Sequence, residues 1–170
     1  MKKLPYTVEE MQLWIDTVQK YSAREKTTTA YPKRGDIWTM DFGITVGSEI
    51  RGVRPVVVVS SSIVNEKVNT ILVAPISKRS SSETESTLDF HMHLDDDVFE
   101  WGKNTVEGII KTESITTLSK GRMGKRVGRL NSKGLDELTR ITGKILHVTE
   151  PLTPEAENEE RKQKFGYGIE

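Results

Sequence analysis

Residues 45–59 read T-V-G-S-E-I-R-G-V-R-P-V-V-V-V, and they hold two different patterns. The second part, residues 56–59, is an unbroken β-branched run, which is typical of a strand buried on both faces. The first part, residues 45–55, combines two glycines, two arginines and short hydroxyl side chains. It predicts a loop whose backbone can approach a ligand and whose arginines suit phosphate. The alternative is a surface hairpin whose arginines are only hydrated.

Further short strands are predicted on both sides of this stretch. The candidates are residues 36–41, 70–75, 88–94 and 106–111. In the first of them, alternation puts Trp38 and Met40 on one face, as in a half-buried strand. The serine-rich residues 78–87 are predicted as a loop.

A helix is predicted to close this region, capped by Asn131 or Ser132. Its buried stripe is Leu135, Leu138, Ile141 and Ile145. Residues 31–148 are therefore expected to form one mainly β domain with a C-terminal helix.

An appendage is predicted at each end of that domain. In residues 1–30, Thr7 and Glu10 fit a capping box that starts an amphipathic helix, with a polar linker after it. Its predicted apolar face is Val8, Met11, Ile15 and Val18, widened by Trp14. The helix either packs on its own domain or a dimer mate, or serves as a partner-binding arm. Residues 149–170 are charged and are expected to be an extended tail.

Composition limits the function classes. The 170 residues hold 25 Lys+Arg and 25 Asp+Glu, so any phosphate-binding surface must be local. The lack of cysteine excludes disulfides, thiolate metal sites and cysteine nucleophiles. No apolar run reaches the roughly 18 residues of a membrane span. A cytoplasmic protein without membrane contact is expected.

Arg54 and Ser77 are candidate site residues at strand ends. Pro55 restricts the backbone of Arg54 to extended geometry at the mouth of the core, where a fixed guanidinium can stabilise a phosphoryl-transfer transition state. Ser77 closes the strand T-I-L-V-A-P-I-S beside Lys78 and Arg79, so its hydroxyl can face a cationic pocket.

Two charged stretches have both a functional and a structural interpretation. If residues 111–117 are a strand, Lys111 and Glu113 share a face and can act as acid and base, or they form a solvent-facing ion pair. Residues 120–129 hold five cations, three glycines and no acid, which suits a flexible loop on an RNA backbone, although basic loops are common.

His91 and His93 form an H-x-H pattern on one strand face. That spacing can chelate zinc, but further ligands are needed, so a solvated polar face is the favoured interpretation and no metal is expected. The sequence also lacks a P-loop, a G-x-S-x-G, an H-E-x-x-H and a dinucleotide fingerprint.

Taken in order, several segments resemble the MazF/PemK toxins of type II toxin–antitoxin systems. The matching segments are R-G-D-I-W-T-M-D-F from Arg34, the stretch from Thr45, T-I-L-V-A-P-I-S from Thr70, I-I-K-T-E-S-I-T-T-L-S-K from Ile109 and G-K-R-V-G-R-L from Gly124. The resemblance implies an SH3-like or CcdB-like small antiparallel β-barrel and a homodimer. It also implies metal-independent cleavage of single-stranded RNA, neutralisation by a cognate antitoxin, and DNA binding by the toxin–antitoxin complex. No cofactor is implied.

The resemblance also implies roles for individual residues. Arg54 and Ser77 become the catalytic residues, with Lys111, Glu113 and Ser48 as acid/base or substrate contacts. The implied RNA-binding residues are Thr45, Glu49, Arg51, Lys78, Arg79 and Ser114. The chain departs from the family's E-Q-x-R-T at Ser114 and Thr116.

Two rival functions stay open at the level of sequence. A CcdB-like gyrase poison shares the barrel but depends on a C-terminal W-G-I, where this chain ends G-Y-G-I-E. A non-catalytic RNA-binding barrel is the other.

Overall fold

The computed structural model describes residues 6–78 and 89–148. Its helices are α1 (Val8–Glu25), α2 (Ser62–Lys67) and α3 (Ser132–Leu146). Its strands are β1 (Asp36–Asp41), β2 (Val53–Val58), β3 (Thr70–Ser77), β4 (His91–His93), β5 (Phe99–Trp101), β6 (Ile109–Lys111), β7 (Thr116–Ser119) and β8 (Met123–Leu130). Short 3₁₀ turns occupy Asp96–Val98, Thr112–Ser114 and Lys120–Arg122.

The strands form one curved antiparallel sheet in the order β4-β6-β3-β2-β1-β8-β5, with β7 also paired to β3. Strand β3 organises the sheet because one of its edges pairs with β2 while the other pairs first with β7 and then with β6. The sheet is a half-barrel with α3 packed on it, so the predicted mainly β domain with a C-terminal helix is confirmed.

Strand β2 is buried on both faces, as its β-branched run predicts. Val57 and Val59 belong to one core cluster, which α3 covers through Leu138 and Ile141. Val56 and Val58 belong to a second cluster on the opposite face, with Met40 and Phe42. Two cores on one short strand fix its register, since a one-residue slip would exchange them.

The basic stretch 120–129 is not a flexible loop, and that prediction was wrong. Residues Lys120–Arg122 form a 3₁₀ turn, and β8 then pairs with β1 in the middle of the sheet. Its charges are used internally: Lys120 is 3% exposed and donates to the Asn65 carbonyl, while Arg126 and Arg129 both bind the buried Asp36. Burial lowers the pKa of Lys120.

Other strand boundaries differ from the pattern. Strand β6 begins at Ile109 rather than residue 106, and β4 covers only the middle of residues 88–94. Strands β5 and β7 and helix α2 carry no clear periodicity and were not predicted. The Ser-rich stretch lies outside the described residues except for Lys78, as do residues 149–170.

His91 is not part of a solvated face, contrary to the prediction. Its side chain is 2% exposed, lies edge-to-face against Phe90, and places Nε2 3.2 Å from Glu113 Oε2. His93 is half-buried. Within the described ranges, no three His, Cys, Asp or Glu side chains form a group that could hold a metal ion.

Both end helices start where the sequence predicts. Thr7 and Glu10 form the full capping box of α1, and the Asn131 side chain caps α3 by accepting from the Gly134 amide. Of the predicted apolar face of α1, Trp14 packs against Gly43, whereas Val8, Met11, Ile15 and Val18 are exposed in the single chain. No described helix is long and apolar enough to cross a membrane.

Candidate functional site

The site is built around the loop that joins β1 to β2, residues 43–52, called here the glycine loop. The Phe42 amide donates to the Gly52 carbonyl at 3.0 Å, and the Gly52 amide donates to the Gly43 carbonyl at 3.2 Å. Both glycines have positive φ, +75° and +69°, so this closure uses backbone that L side chains rarely adopt. The loop is therefore an ordered hairpin extension of two core strands.

Glu49 holds the tip of the glycine loop. Its amide donates to the Val46 carbonyl at 3.1 Å, and its Oε2 accepts from the Val46 amide at 2.9 Å. Thr45 Oγ1 donates to the Glu49 carbonyl at 3.4 Å. The side chains of Thr45 and Glu49 thus stabilise the turn of the glycine loop itself.

One cleft, of ≈ 500 Å³, lies between the glycine loop and the 3₁₀ turn Thr112–Ser114. Its polar lining is Thr45, Ser48, Glu49, Glu113, Ser114 and Thr116. Phe42, Ile50 and Leu118 from the second core form its apolar floor. The structure therefore brings together five residues that the sequence marked far apart, and we call this space the loop cleft.

Lys111 and Glu113 do not share a strand face, so that part of the prediction was wrong. Strand β6 ends at Lys111, and the next three residues turn out of the sheet before β7 resumes pairing with β3. Thr112 anchors the turn, since it is fully buried and its hydroxyl donates to the Phe90 carbonyl. Glu113 consequently faces His91 and the loop cleft.

A second cleft, of ≈ 650 Å³, contains Arg54 and Lys78. Residues 103–107 form its other wall and bring a third cation, Lys103, together with Glu107. We call it the arginine cleft. Arg54 is half-buried on β2, and its Nε donates to the Arg51 carbonyl at 3.1 Å. Lys103 is paired with Asp96 at 3.2 Å, so Arg54 and Lys78 are the cations that make this cleft suited to phosphate.

Ser77 ends β3 next to the arginine cleft but is not among the residues that line it. The pairing of β2 with β3 ends at Val56 and Pro75, and Ser77 pairs with Ile109 of β6. Its neighbours Ile76 and Lys78 line the cleft, and successive side chains of a strand point to opposite faces. Ser77 itself is half-buried.

The remaining predicted residues are less engaged. Arg51 is exposed on the glycine loop, and Lys111 is half-buried outside both clefts. Arg79 lies outside the described residues.

Sequence reasoning missed residues 103–107 as a wall of the site. A signal was available in the flanking glycines, because Gly102 and Gly108 both have positive φ, and Gly108 lies against the Ser77 carbonyl. Two glycines that bracket a short polar segment indicate a fixed loop near other backbone.

The chain matches the model of the PemK-like, MazF-like toxin of type II toxin–antitoxin systems over residues 33–146. That match spans most of the chain and includes both clefts. The chain belongs to this family. This MazF-like toxin is 30% identical over 106 residues to the endoribonuclease MazF of Staphylococcus saprophyticus. The aligned residues make up 62% of this chain and 83% of that relative. It is 31% identical to the endoribonuclease EndoA of Bacillus subtilis, over 62% of this chain and 86% of EndoA.

Solved structures carry the same fold. A mycobacterial endoribonuclease, determined in complex with its cognate antitoxin, superposes with a TM-score of 0.55 at 15% identity. The superposition covers 72% of this chain and all of that chain. The SH3-like or CcdB-like barrel expected from the resemblance is therefore confirmed as the fold of this MazF-like toxin. Helix α1 lies outside the family match.

Proposed function

We propose that this MazF-like toxin is an endoribonuclease that cleaves single-stranded RNA at short sequence motifs without a metal. The observation that carries the proposal is the arginine cleft, which is lined by Arg54 and Lys78 and lies next to Ser77, the last residue of β3. A cationic cleft next to a half-buried hydroxyl suits a phosphodiester. The family match and the two endoribonuclease relatives support the same activity.

In the proposed reaction the substrate supplies its own nucleophile. The RNA 2′-oxygen forms a bond to the adjacent phosphorus, the bond from phosphorus to the 5′-oxygen breaks, and the products carry a 2′,3′-cyclic phosphate and a 5′-hydroxyl. The 2′-hydroxyl gives up its proton and the leaving 5′-oxygen gains one, so the reaction needs no external water or oxidant. Arg54 stabilises the charge that develops on the phosphoryl oxygens. Ser77 binds the phosphate or passes a proton.

The other predicted residues are assigned to substrate contacts. Thr45, Ser48, Glu49 and Ser114 line the loop cleft and face nucleotides that flank the scissile phosphate. Arg51 and Lys78 bind backbone phosphates. Glu113, which lines the loop cleft and lies 3.2 Å from His91 Nε2, is the candidate for proton transfer. Lys111 is placed less favourably because it lies outside both clefts.

We also propose a homodimer in the cytoplasm and a cognate antitoxin that neutralises the toxin. An acidic, partly disordered antitoxin segment would complement the arginine cleft, and the complex would bind DNA. The mycobacterial neighbour determined with its antitoxin supports this partner class.

The direct test is a cleavage assay on a long unstructured RNA in EDTA, with the product ends mapped chemically. The expected result is a set of discrete cuts that share a short motif and carry 2′,3′-cyclic phosphate and 5′-hydroxyl ends. A folded protein that leaves the RNA intact would favour the gyrase-poison or non-catalytic interpretation. Cuts that require added metal, or that leave other ends, would contradict the proposed chemistry.

A further inference from the structure

Helix α1 is connected to the glycine loop by a pair of hydrogen bonds at its start. The Tyr6 hydroxyl donates to the Thr45 carbonyl and accepts from the Thr45 amide, both at 3.2 Å. Thr45 thereby has both of its backbone polar groups bound to one side chain that is 39 residues away. The hydrogen bond with the Thr45 backbone lowers the pKa of the Tyr6 hydroxyl, and the neighbouring Arg51 lowers it further.

A second connection runs through Asp41 at the base of the glycine loop. Its Oδ2 accepts from the Tyr21 hydroxyl at 2.8 Å, and its Oδ1 accepts from the Gly43 amide at 2.8 Å. Burial, together with the hydrogen bond to Asp41, raises the pKa of Tyr21 to about 12, so Tyr21 stays protonated and keeps donating. Asp41 thus joins the helix to the first residue of the loop.

A third connection is the packing of Trp14. A Cβ atom built on Gly43 would lie 2.1 Å from the Trp14 ring, so the ring rests directly on the loop backbone. The Arg122 guanidinium lies over the same ring, 5.2 Å from its centroid, and donates to the carbonyls of Asp41 and Phe42 at 3.0 and 3.2 Å. The Trp14 ring therefore lies between the glycine loop and the 3₁₀ turn that precedes β8.

These three connections explain why the aromatic side of α1 faces the barrel while its aliphatic stripe is exposed. They act on both ends of one loop segment, residues 43–45, and that loop supplies Thr45, Ser48 and Glu49 to the loop cleft. The helix lies outside residues 33–146, which match the family.

We propose that α1 is a positioning element that holds the glycine loop in the conformation that lines the loop cleft, with Tyr6, Trp14 and Tyr21 as its positioning residues. They act through Thr45, Gly43 and Asp41. The effect on RNA rests on the proposed function, whereas the effect on the loop does not.

The loop effect is tested first, by amide hydrogen exchange on the full chain without RNA. In Tyr6→Phe the Thr45 amide should exchange about fivefold faster, the factor typical of one hydrogen bond. Tyr31→Phe is the matched control, because Tyr31 is 58% exposed and its ring lies against Lys120. Trp14→Ala should speed exchange throughout residues 43–52, and Ile15→Ala, which trims an exposed side chain of the same helix, should not.

The same variants are then assayed for cleavage. A positioning role predicts that Tyr6→Phe and Trp14→Ala raise KM about fivefold while kcat at saturating RNA stays within about twofold. Unchanged exchange in residues 43–52 for both variants overturns the proposal. Faster exchange with unchanged KM and kcat also overturns it, because the loop position would then not matter to the site. If the wild type cuts no RNA, the proposed function fails, while the exchange rates together with the affinity for a single-stranded RNA oligonucleotide still decide the positioning role.

Discussion

Asp36 joins strand β1 to strand β8 through its buried carboxylate. It is 3% exposed, and its Oδ1 accepts from Arg126 at 2.6 Å and from Arg129 at 2.8 Å, while its Oδ2 accepts from the Lys33 amide at 3.0 Å. The carboxylate is therefore fully used inside the protein. Arg126 and Arg129, which belong to the basic stretch predicted to bind RNA, are therefore bound to strand β1 through this carboxylate.

Asp36→Ala is expected to lower the free energy of unfolding by about 1–3 kcal/mol, because Arg126 and the Lys33 amide lose their acceptor and Arg129 keeps only Glu100. The lower end of the range reflects that both arginines are partly exposed and can be hydrated. Urea denaturation of the variant measures the loss. Asp97→Ala, which removes one partner of an exposed ion pair with Lys133, should cost less than about 1 kcal/mol. Equal losses in the two variants would contradict this account of Asp36.

Single residues also show what the sequence could and could not predict. The position of Arg54 at the end of the buried strand could be predicted, because the following proline and the buried run restrict its backbone. Lys120 was not, because nothing local indicates that its ammonium is buried against the Asn65 carbonyl, 55 residues away in the chain. Glu113 needed the fold as well, since its position follows from a three-residue turn between two strands that pair with the same partner.

Among the elements, the contact of β3 with β6 sets the position of Ser77. It depends on Gly108, which has a φ of +124° and would place a Cβ atom 2.1 Å from the Ser77 carbonyl oxygen. That oxygen is backbone, so relief requires a shift of the end of β3, next to the arginine cleft.

Gly108→Ala should therefore destabilise the fold by about 2–4 kcal/mol, through strain at positive φ and steric overlap together. Gly47→Ala is its matched control, because Gly47 also has positive φ, +61°, but has open space where the Cβ would lie. Gly47→Ala should lower the free energy of unfolding by about 1 kcal/mol. Both variants replace glycine by alanine, so the effect of that change on the entropy of the unfolded chain is the same in both and cancels in the comparison. Thermal or urea unfolding gives both values. A Gly108 variant no less stable than the Gly47 variant would show that the approach to Ser77 is not restrictive.

Helices and strands could be predicted where one local sequence pattern determines the conformation, and they were missed where tertiary contacts determine it. The bounds of β1 and the caps of α1 and α3 follow from alternation and from capping residues. Strand β8 was missed because its glycines and charges suit a loop, and only pairing with β1 and the acceptor Asp36 make it a strand. In α1, Trp14 was placed on the apolar face by its spacing, but the contact of Tyr21 with Asp41 depends on tertiary structure and has no local signal.

For the whole molecule, the sequence was sufficient for the fold class and for the order of motifs along the chain. It was not sufficient for the division of the site into two clefts, since that depends on how the glycine loop, the Thr112–Ser114 turn and residues 103–107 are placed around the ends of β2 and β3. Helix α1 adds a further layer, because Trp14 packs against Gly43 of the glycine loop and Tyr21 donates to Asp41 at the base of that loop.

The central claim is that Arg54 in the arginine cleft drives metal-free RNA cleavage. The most direct test is single-turnover cleavage of saturating RNA in EDTA by Arg54→Ala, compared with Arg140→Ala, which removes an exposed arginine of α3 paired with Glu137. Loss of one group that stabilises transition-state charge predicts a rate about 10²–10³-fold lower for Arg54→Ala and a rate within about twofold of wild type for the control. Cleavage by Arg54→Ala at the wild-type rate would contradict the account.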